Sequence, residues 1–345
     1  MLNLKTTIGL EIHVQLKTKS KMFCRCDNEA FGAKPNTTVC PVCLGMPGSL
    51  PVANEQAILW TIKTGLALNC EIPKIAKFDR KHYFYPDLPK GYQISQYDEP
   101  FAIKGSLTVK NQKSKIKVKN SSSHSVAGLS EEETEEKTIR ITRVHLEEDA
   151  GKLIHKDGKS LVDLNRAGTP LMEIVSEPDI TSPEEAGTFL RKLQKIVRDV
   201  VAVSEASMEK GHLRCDANIS VYQKSNIKNQ NDKSKFKMSQ IIELKNLNSF
   251  RFVEKALALA EEKLKSEFEN WPEKLTKETW GYDSKKNQIF LQRHKEEAAD
   301  YRYFPEPDLP PFDTTSIDVL ALKSDIAATE EDNIEKLVIL GLTNA

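Results

Sequence analysis

The segment that decides the fold is an alternating strand near the start of the chain, Thr7-Ile-Gly-Leu-Glu-Ile-His-Val-Gln-Leu16. Successive side chains of a strand point to opposite faces of a sheet, so one face of this strand is apolar and the other is polar. The apolar side chains are Leu10, Ile12 and Val14, and the polar ones are Glu11, His13 and Gln15. The pattern predicts a strand that is buried on one side and presents reactive or ligand-binding groups on the other.

Other acidic residues interrupt or end apolar segments farther along the chain. They are Glu147, Glu148 and Asp149 after one strand-like run, Glu173 within a second, and Asp216 at the start of a third. An ionised carboxylate in an apolar strand is costly unless it is paired or bound to a metal. Several such strands in one sheet would bring together oxygen ligands suited to Mg²⁺. The alternative is a set of separate ion pairs with Arg140, Arg143, Arg166 and Arg214, and the pattern alone leaves both open.

The order of the remaining elements indicates the fold class. Apolar residues at helical spacing predict helices over about 54–69, 182–203 and 250–269. The second begins with Ser182 as its cap and Pro183 at its first position, and Glu185 is placed to complete a capping box. Strands joined by hairpin-like insertions, without a regular βαβ rhythm, predict an α+β fold with an antiparallel sheet. Two polar stretches, about 110–137 and 224–235, are expected to be solvated extensions.

Four cysteines lie close together in the loop after the first strand. Cys24-x-Cys26 is followed, thirteen residues later, by Cys40-Pro-Val-Cys43. Two close pairs at this separation can place four thiolates tetrahedrally around one structural zinc ion. The alternatives are buried free thiols, or a redox pair in the second half alone. Cys70 and Cys215 stand alone and are expected to be core residues.

Composition excludes several classes of protein. The 345 residues include 50 basic and 50 acidic side chains, so bulk charge does not hold the protein on nucleic acid. The sequence has no apolar run long enough for a membrane span and no recognisable leader, and we expect a cytoplasmic protein. It contains neither a P-loop nor a Rossmann glycine motif.

Several long motifs resemble the ATP-using kinase/transamidase subunit of the tRNA-dependent amidotransferases. One is Lys77-Phe-Asp-Arg-Lys-His-Tyr-Phe-Tyr-Pro-Asp87. The others occupy residues 9–16, 91–96, 145–152, 160–179, 213–220, 243–250 and 300–308, so that the resemblance covers about residues 5–312.

The resemblance implies an activity and partners. Members of this family work with an amidase subunit and a small third subunit of the same amidotransferase. They use ATP and Mg²⁺ to phosphorylate the side-chain carboxylate of misacylated Glu-tRNA(Gln), and often Asp-tRNA(Asn), and ammonia from the amidase then forms the amide. Phosphoryl transfer depends on positioning and charge neutralisation, which carboxylates and a metal ion supply without a P-loop.

The resemblance also implies site residues and a fold. It assigns Mg²⁺ binding and catalysis to Glu11, His13, Glu148, Glu173 and Asp216, with Glu148 preferred over Glu147. Arg80 and Lys81 are weaker candidates for contacts with ATP phosphates or the tRNA acceptor end. The four cysteines match the zinc-bearing branch of the family. The expected fold is a cradle-like antiparallel sheet with flanking helices, similar to the catalytic fold of glutamine synthetase and the guanidino kinases.

The resemblance further predicts the domain organisation. Residues 1–312 are expected to form the catalytic domain, with the zinc knuckle at 24–43. Residues 313–345 are expected to begin a truncated helical domain, around 327–344, without the tail that helps to hold tRNA in the family. Two other functions stay open: a non-catalytic zinc-bearing tRNA scaffold and a stand-alone Mg²⁺-dependent phosphohydrolase.

Overall fold

The computed structural model describes residues 3–29, 32–112, 134–223, 237–295 and 301–329. Within these ranges the helices are α1 (Glu55–Ala67), α2 (Pro183–Lys195), α3 (Phe250–Ser266) and α4 (Val319–Ser324). The first eight strands are β1 (Leu4–Gln15), β2 (Ile75–Ala76), β3 (Asp79–His82), β4 (Tyr92–Ser95), β5 (Ala102–Gln112), β6 (Thr134–Glu148), β7 (Lys152–Lys156) and β8 (Lys159–Asp163). The other eight are β9 (Pro170–Ser176), β10 (Leu213–Gln223), β11 (Lys237–Met238), β12 (Ile241–Leu247), β13 (Lys277–Asp283), β14 (Gln288–Lys295), β15 (Phe304–Pro305) and β16 (Phe312–Asp313).

A nine-stranded sheet forms the body of the molecule. Its order is β14-β13-β12-β10-β1-β9-β6-β5, with β11 paired to β10. The α+β fold class is therefore confirmed, and β1 lies near the centre of the sheet.

The expectation of an entirely antiparallel sheet is wrong at one pair of strands. β12 and β13 run parallel. The chain between them forms α3. A crossover of this length lets the chain return and enter the next strand in the same direction, which a tight turn does not allow.

The two faces of the sheet differ as the alternation in β1 predicts. Ile8, Leu10, Ile12 and Val14 are at most 1% exposed and join the main apolar core, to which α1, α2 and α3 also contribute. Burying each of these side chains contributes roughly 2 kcal/mol. Glu11 and His13 lie on the opposite face and are only partly buried. We call this second side the open face.

The start of α2 follows its sequence signals with one difference. The Ser182 hydroxyl accepts a hydrogen bond from the Glu185 N–H at 3.1 Å, and Pro183 occupies the first helical position. The Glu185 carboxylate reaches back to the N–H of Thr181 at 2.6 Å, instead of that of Ser182 as in a capping box. The helix continues beyond Lys195 as a single π-helical turn, Ile196–Val200.

A small sheet in the order β15-β3-β4 lies against the end of β6. The Gln96 side chain accepts a hydrogen bond from the Leu146 N–H at 3.0 Å, and the Ser95 hydroxyl donates to Glu147 at 2.9 Å. The strand β3, which carries the candidate residues Arg80 and Lys81, is thereby held beside the open face.

Two further expectations concern segments that the structure covers little or not at all. Most of the polar stretches 110–137 and 224–235, and residues 330–345 of the expected helical domain, lie outside the described residues. No helix in the described part of the chain is long and apolar enough to cross a membrane.

Candidate functional site

Strand register brings distant polar residues into one row across the open face. Glu173 on β9 is the direct neighbour of His145 on β6 on one side and of His13 on β1 on the other. Arg214 on β10 pairs with His13 and extends the row. Because neighbouring residues of paired strands lie on the same face, four segments far apart in sequence meet here.

The centre of the row is a compact set of side chains that we call the His/Glu cluster: His13, His145, Glu147 and Glu173. Ligand atoms of His13, Glu147 and Glu173 all lie within 4.8 Å of one another. Glu173 Oε2 lies 3.3 Å from Nε2 of both His13 and His145. Glu147 and Glu173 are 2% and 7% exposed, so both carboxylates are held in a largely water-free environment.

The carboxylates and imidazoles of the His/Glu cluster stabilise one another's charges. Burial alone would raise the pKa of Glu173, but His145 and His13 lower it well below its usual range. Burial would likewise lower the pKa of His13, and the Glu173 carboxylate raises it. His145 accepts a hydrogen bond at Nδ1 from Arg143 Nε at 3.2 Å, which directs its other nitrogen towards the carboxylates.

The donor set of the cluster fits a divalent cation. Two buried carboxylates and an imidazole nitrogen converge on one point, and carboxylate oxygens are ligands that Mg²⁺ and Mn²⁺ accept. His145 stands behind Glu173 and Glu147 as an orienting partner of the kind that metal-bound carboxylates commonly have.

Glu11 and Asp216 form a second group on the same two strands. Glu11 is two residues from His13 on β1, and Asp216 is two residues from Arg214 on β10. Glu11 and Asp216 are direct neighbours across β1 and β10. Asp216 pairs with Lys245, and Glu11 accepts a hydrogen bond from the Asn218 amide at 3.2 Å. Burial alone would lower the pKa of Lys245, but Asp216 and Glu243 raise it, so its positive charge is retained. Sequence-predicted Glu11 and Asp216 therefore lie beside the His/Glu cluster on the open face.

Glu148 does not join this arrangement, although the sequence favoured it over Glu147. Its carboxylate pairs with Lys90 and accepts a hydrogen bond from the Ile94 N–H at 3.0 Å. Consecutive residues of β6 point to opposite faces, and Glu147 shares the face of His145. We therefore replace Glu148 by Glu147 in the candidate site.

The two candidate basic residues on β3 are placed differently. Arg80 makes two 2.7 Å hydrogen bonds to the buried Glu306 carboxylate and lies over the Tyr92 ring, so its guanidinium already has a structural role. Lys81 faces the cluster instead. Burial alone would lower the pKa of Lys81, but Glu147, Tyr303 and Glu173 raise it, which keeps the ammonium charged.

Two buried polar atoms on the open face have no protein partner among the described residues. Arg214 donates to Asp149 through one terminal nitrogen at 2.5 Å, but its Nε has no acceptor. Asn218 Oδ1 likewise has no donor. Buried polar groups are usually satisfied, so such exceptions next to a site favour an absent ligand or water.

Asn218 also lines an apolar cavity of about 440 Å³. The cavity continues the open face beyond Glu11, and its walls are Thr7, Gly9, Pro178, Asn218, Ile219, Ser220, Tyr222, Met238 and Ile241. Gly9 and His13 are four steps apart along β1, a span of roughly 14 Å in an extended strand. The apolar cavity, the group of Glu11, Asp216 and Lys245, and the His/Glu cluster thus follow one another along a single face.

The four cysteines of the loop converge as their spacing predicts. We call Cys24, Cys26, Cys40 and Cys43 the cysteine cluster, and their Sγ atoms all lie within 4.8 Å of one another. A hydrogen bond from Cys24 lowers the pKa of Cys43 to about 5, while burial raises that of Cys26 to about 11. The Cys40 N–H also donates to Cys43 Sγ at 3.1 Å. The donor set fits a tetrahedral zinc ion, and Cys70 and Cys215 are buried elsewhere as expected.

Sequence reasoning did not name His145 or Lys245 as candidates for the site, and it preferred Glu148 to Glu147. A signal for His145 and Glu147 was present, because they are two residues apart on one strand, as Glu11 and His13 are. Lys245 gave no such signal, since its approach to Asp216 depends on the pairing of β10 with β12.

Comparisons with known proteins agree with this architecture. The family described as the GatB/GatE catalytic domain matches residues 6–319. The B-subunit of the aspartyl/glutamyl-tRNA(Asn/Gln) amidotransferase from Thermotoga sp. (strain RQ2) is 50% identical over 313 residues, which are 89% of this chain and 58% of that protein. The B-subunits of the same name from Persephonella marina and Thermodesulfovibrio yellowstonii are each 48% identical, over 96% and 97% of this chain and 63% and 64% of their own lengths. The chain thus spans 58% to 64% of these relatives, and it belongs to the GatB/GatE catalytic domain family.

Proposed function

We propose that this chain carries the ATP-using step of a tRNA-dependent amidotransferase. It would activate the side-chain carboxylate of Glu-tRNA(Gln), Asp-tRNA(Asn) or both for amidation, in the cytoplasm where aminoacyl-tRNA is used. The observation that carries the proposal is the His/Glu cluster on the open face of a sheet whose sequence matches the family across residues 6–319. Relatives named as B-subunits of an aspartyl/glutamyl-tRNA amidotransferase support the substrate class.

We propose His13, Glu147 and Glu173 as the Mg²⁺ ligands. When bound, the ion would neutralise phosphate charge and orient the γ-phosphoryl group for in-line transfer. His145 holds the two carboxylates in position, and Ser95 fixes Glu147 from the other side. Glu11 and Asp216 would act beside this set as acidic partners of Lys245 and of any further ion.

The chain's cations are arranged to receive the phosphates. The unpartnered Nε of Arg214 is next to His13, and Lys81 approaches the cluster from β3. We assign the apolar cavity beyond Glu11 to the base of the nucleotide, with Asn218 Oδ1 accepting from a base or sugar donor. The apolar cavity at one end of the open face, and the His/Glu cluster with Arg214 and Lys81 at the other, support an extended nucleoside triphosphate on this face.

The remaining steps need partners. We propose that a partner amidase subunit supplies ammonia and that a small third subunit completes the enzyme, since the relatives are named as one subunit of a larger amidotransferase. We further propose that the cysteine cluster holds one structural Zn²⁺. The kinship of the cradle-like sheet with glutamine synthetase and the guanidino kinases is part of the same proposal.

The domain division also stays a proposal, with one adjustment. β16 crosses the boundary predicted at residue 312, since Phe312–Asp313 pairs with β2 of the catalytic region. We therefore place the end of the catalytic domain after Asp313.

The decisive experiment measures ATP hydrolysis dependent on Glu-tRNA(Gln) in the complex with its partner subunits. Glu11→Gln is expected to abolish tRNA-dependent ATP hydrolysis and amide formation while glutamine hydrolysis by the partner continues. Hydrolysis of ATP without any tRNA requirement would favour a stand-alone phosphohydrolase. Tight tRNA binding with no ATP turnover would favour the non-catalytic scaffold.

A further inference from the structure

Lys21 is the most deeply buried lysine among the described residues. Its side chain belongs to the largest fully buried ones, and the residue is 1% exposed. Its ammonium donates a hydrogen bond to the Thr38 carbonyl at 2.8 Å and lies 3.9 Å from Cys43 Sγ. Neither the His/Glu cluster nor the apolar cavity uses this charge.

No carboxylate compensates the Lys21 charge within the part of the chain that the structure describes. Ion pairs within 4.0 Å are formed by neighbouring lysines such as Lys17 and Lys90, but none by Lys21. The nearby Glu148 is already engaged with Lys90. An ammonium buried without a counter-charge is strongly unfavourable, so the negative partner of Lys21 is to be sought in the cysteine cluster.

Lys21 also links the two halves of the cysteine cluster. Its backbone N–H donates to the Cys26 carbonyl at 3.0 Å, and its side chain reaches Thr38 and Cys43 in the second half. One residue therefore fixes both cysteine pairs relative to each other.

We propose that Lys21 is the charge-compensating residue of a four-thiolate metal site formed by Cys24, Cys26, Cys40 and Cys43. This inference rests on the zinc site of the proposed function. Four thiolates bring more negative charge than one Zn²⁺ ion neutralises, and the buried ammonium offsets one unit of the excess. The buried Lys21 ammonium lies 3.9 Å from Cys43 Sγ, so it is placed to offset this excess directly. Lys21 therefore stabilises the metal-bound state of the cysteine cluster.

A second consequence concerns reactivity. A thiolate that receives a charge-assisted contact is a weaker nucleophile, because its electron density is already stabilised. In the zinc-bound protein, the contact with Lys21 therefore protects Cys43 against alkylation, in addition to the protection that the metal gives.

The test compares Lys21→Met with Lys19→Met in otherwise unchanged protein. Methionine keeps an unbranched apolar stem and removes the charge, and Lys19 is an exposed lysine of the same loop. Zinc affinity is measured by competition with a chromophoric chelator. Lys21→Met is expected to bind Zn²⁺ roughly tenfold more weakly or worse, the scale on which outer partners of metal ligands act. Lys19→Met is expected to match the wild type.

Thermal unfolding with and without chelator separates this role from simple packing. The stabilisation that zinc gives should shrink in Lys21→Met and stay unchanged in Lys19→Met. Iodoacetamide should also alkylate the zinc-bound variant faster. Equal zinc affinity, or an equal loss of stability with and without zinc, would overturn the assignment of Lys21. A wild-type chain that binds no zinc would instead overturn the zinc site itself.

Discussion

The cysteine cluster and the His/Glu cluster are two candidate metal sites built in opposite ways. The cysteine ligands come from one loop, residues 24–43, whereas the His/Glu ligands come from three strands and span residues 13–173. The first site has four like ligands that complete a tetrahedron and leave no position for a substrate. The second has three mixed ligands on an open face, next to an apolar cavity and the unpartnered donor of Arg214.

We propose on this basis that one site serves stability and the other chemistry. A closed set of ligands from one loop can order that loop without touching a reactant. An open set at the centre of a sheet can position a substrate while the rigid strands hold its geometry. Substitutions at the two sites should therefore differ in what they change, stability in one case and turnover in the other.

After Glu11→Gln, the largest effect is expected from the two adjacent glutamates of β6. Glu147→Gln should reduce tRNA-dependent ATP hydrolysis on the order of a thousandfold, about 4 kcal/mol, because it removes a charged ligand at the phosphate site. Binding of Mn²⁺ to this site, followed by calorimetry, should weaken in parallel.

Glu148→Gln is the matched comparison. It should leave Mn²⁺ affinity nearly unchanged and lower the free energy of unfolding by about 3 kcal/mol, because the buried Lys90 loses its counter-charge. If Glu148→Gln weakens ion binding and Glu147→Gln does not, the placement of the two side chains is wrong.

The next effect belongs to the cysteine cluster. With free zinc at about a hundred times its dissociation constant, the metal should stabilise the chain by about 2.7 kcal/mol, roughly 4 °C in melting temperature. Cys40→Ser should remove this gain. Calorimetric binding of Mn²⁺ at the His/Glu cluster should stay unchanged below the new melting temperature, and a loss of both would show that the two sites are not independent.

The contrast also explains what the sequence could reveal. Four cysteines of one loop carry their spacing in the sequence, so the cysteine cluster was predicted with all its members. The His/Glu cluster depends on strand register, which no local pattern specifies. Alternation within β1 placed Glu11 and His13 on one face correctly, but the choice between Glu147 and Glu148 required the partner strands. The parallel pairing of β12 and β13 was missed for the same reason, since it depends on how α3 crosses the sheet.

A pH-dependent effect should arise at Glu173 in metal-free protein. The carboxyl group has a pKa below its ordinary value of 4.5, so its pairing stabilises the fold above that pH and is lost as the pH falls through the lower, folded-state value. Glu173→Gln should therefore be less stable than wild type by about 2 kcal/mol at pH 7.

The difference should shrink on acidification, by at most about 1.4 kcal/mol per pH unit for one proton. Urea unfolding in the presence of chelator at several pH values measures it. Glu205→Gln, at an exposed position, should show no comparable convergence. A gap between wild type and Glu173→Gln that widens below pH 4.5 would contradict the pairing.

The smallest effect is expected at Asn218, where the open face meets the apolar cavity. Its Oδ1 has no partner among the described residues, and its amide donates to Glu11 at 3.2 Å. If Oδ1 accepts a hydrogen bond from the base or sugar of ATP, Asn218→Ala should raise the KM for ATP by roughly fivefold, about 1 kcal/mol for one hydrogen bond. The kcat should change little, since a contact far from the γ-phosphoryl group is made equally in the ground state and the transition state.

Asn270→Ala, at an exposed asparagine after α3, serves as the control. A fall in kcat with unchanged KM would mean that Asn218 acts by holding Glu11. The assignment of the cavity to the nucleotide base would then be wrong.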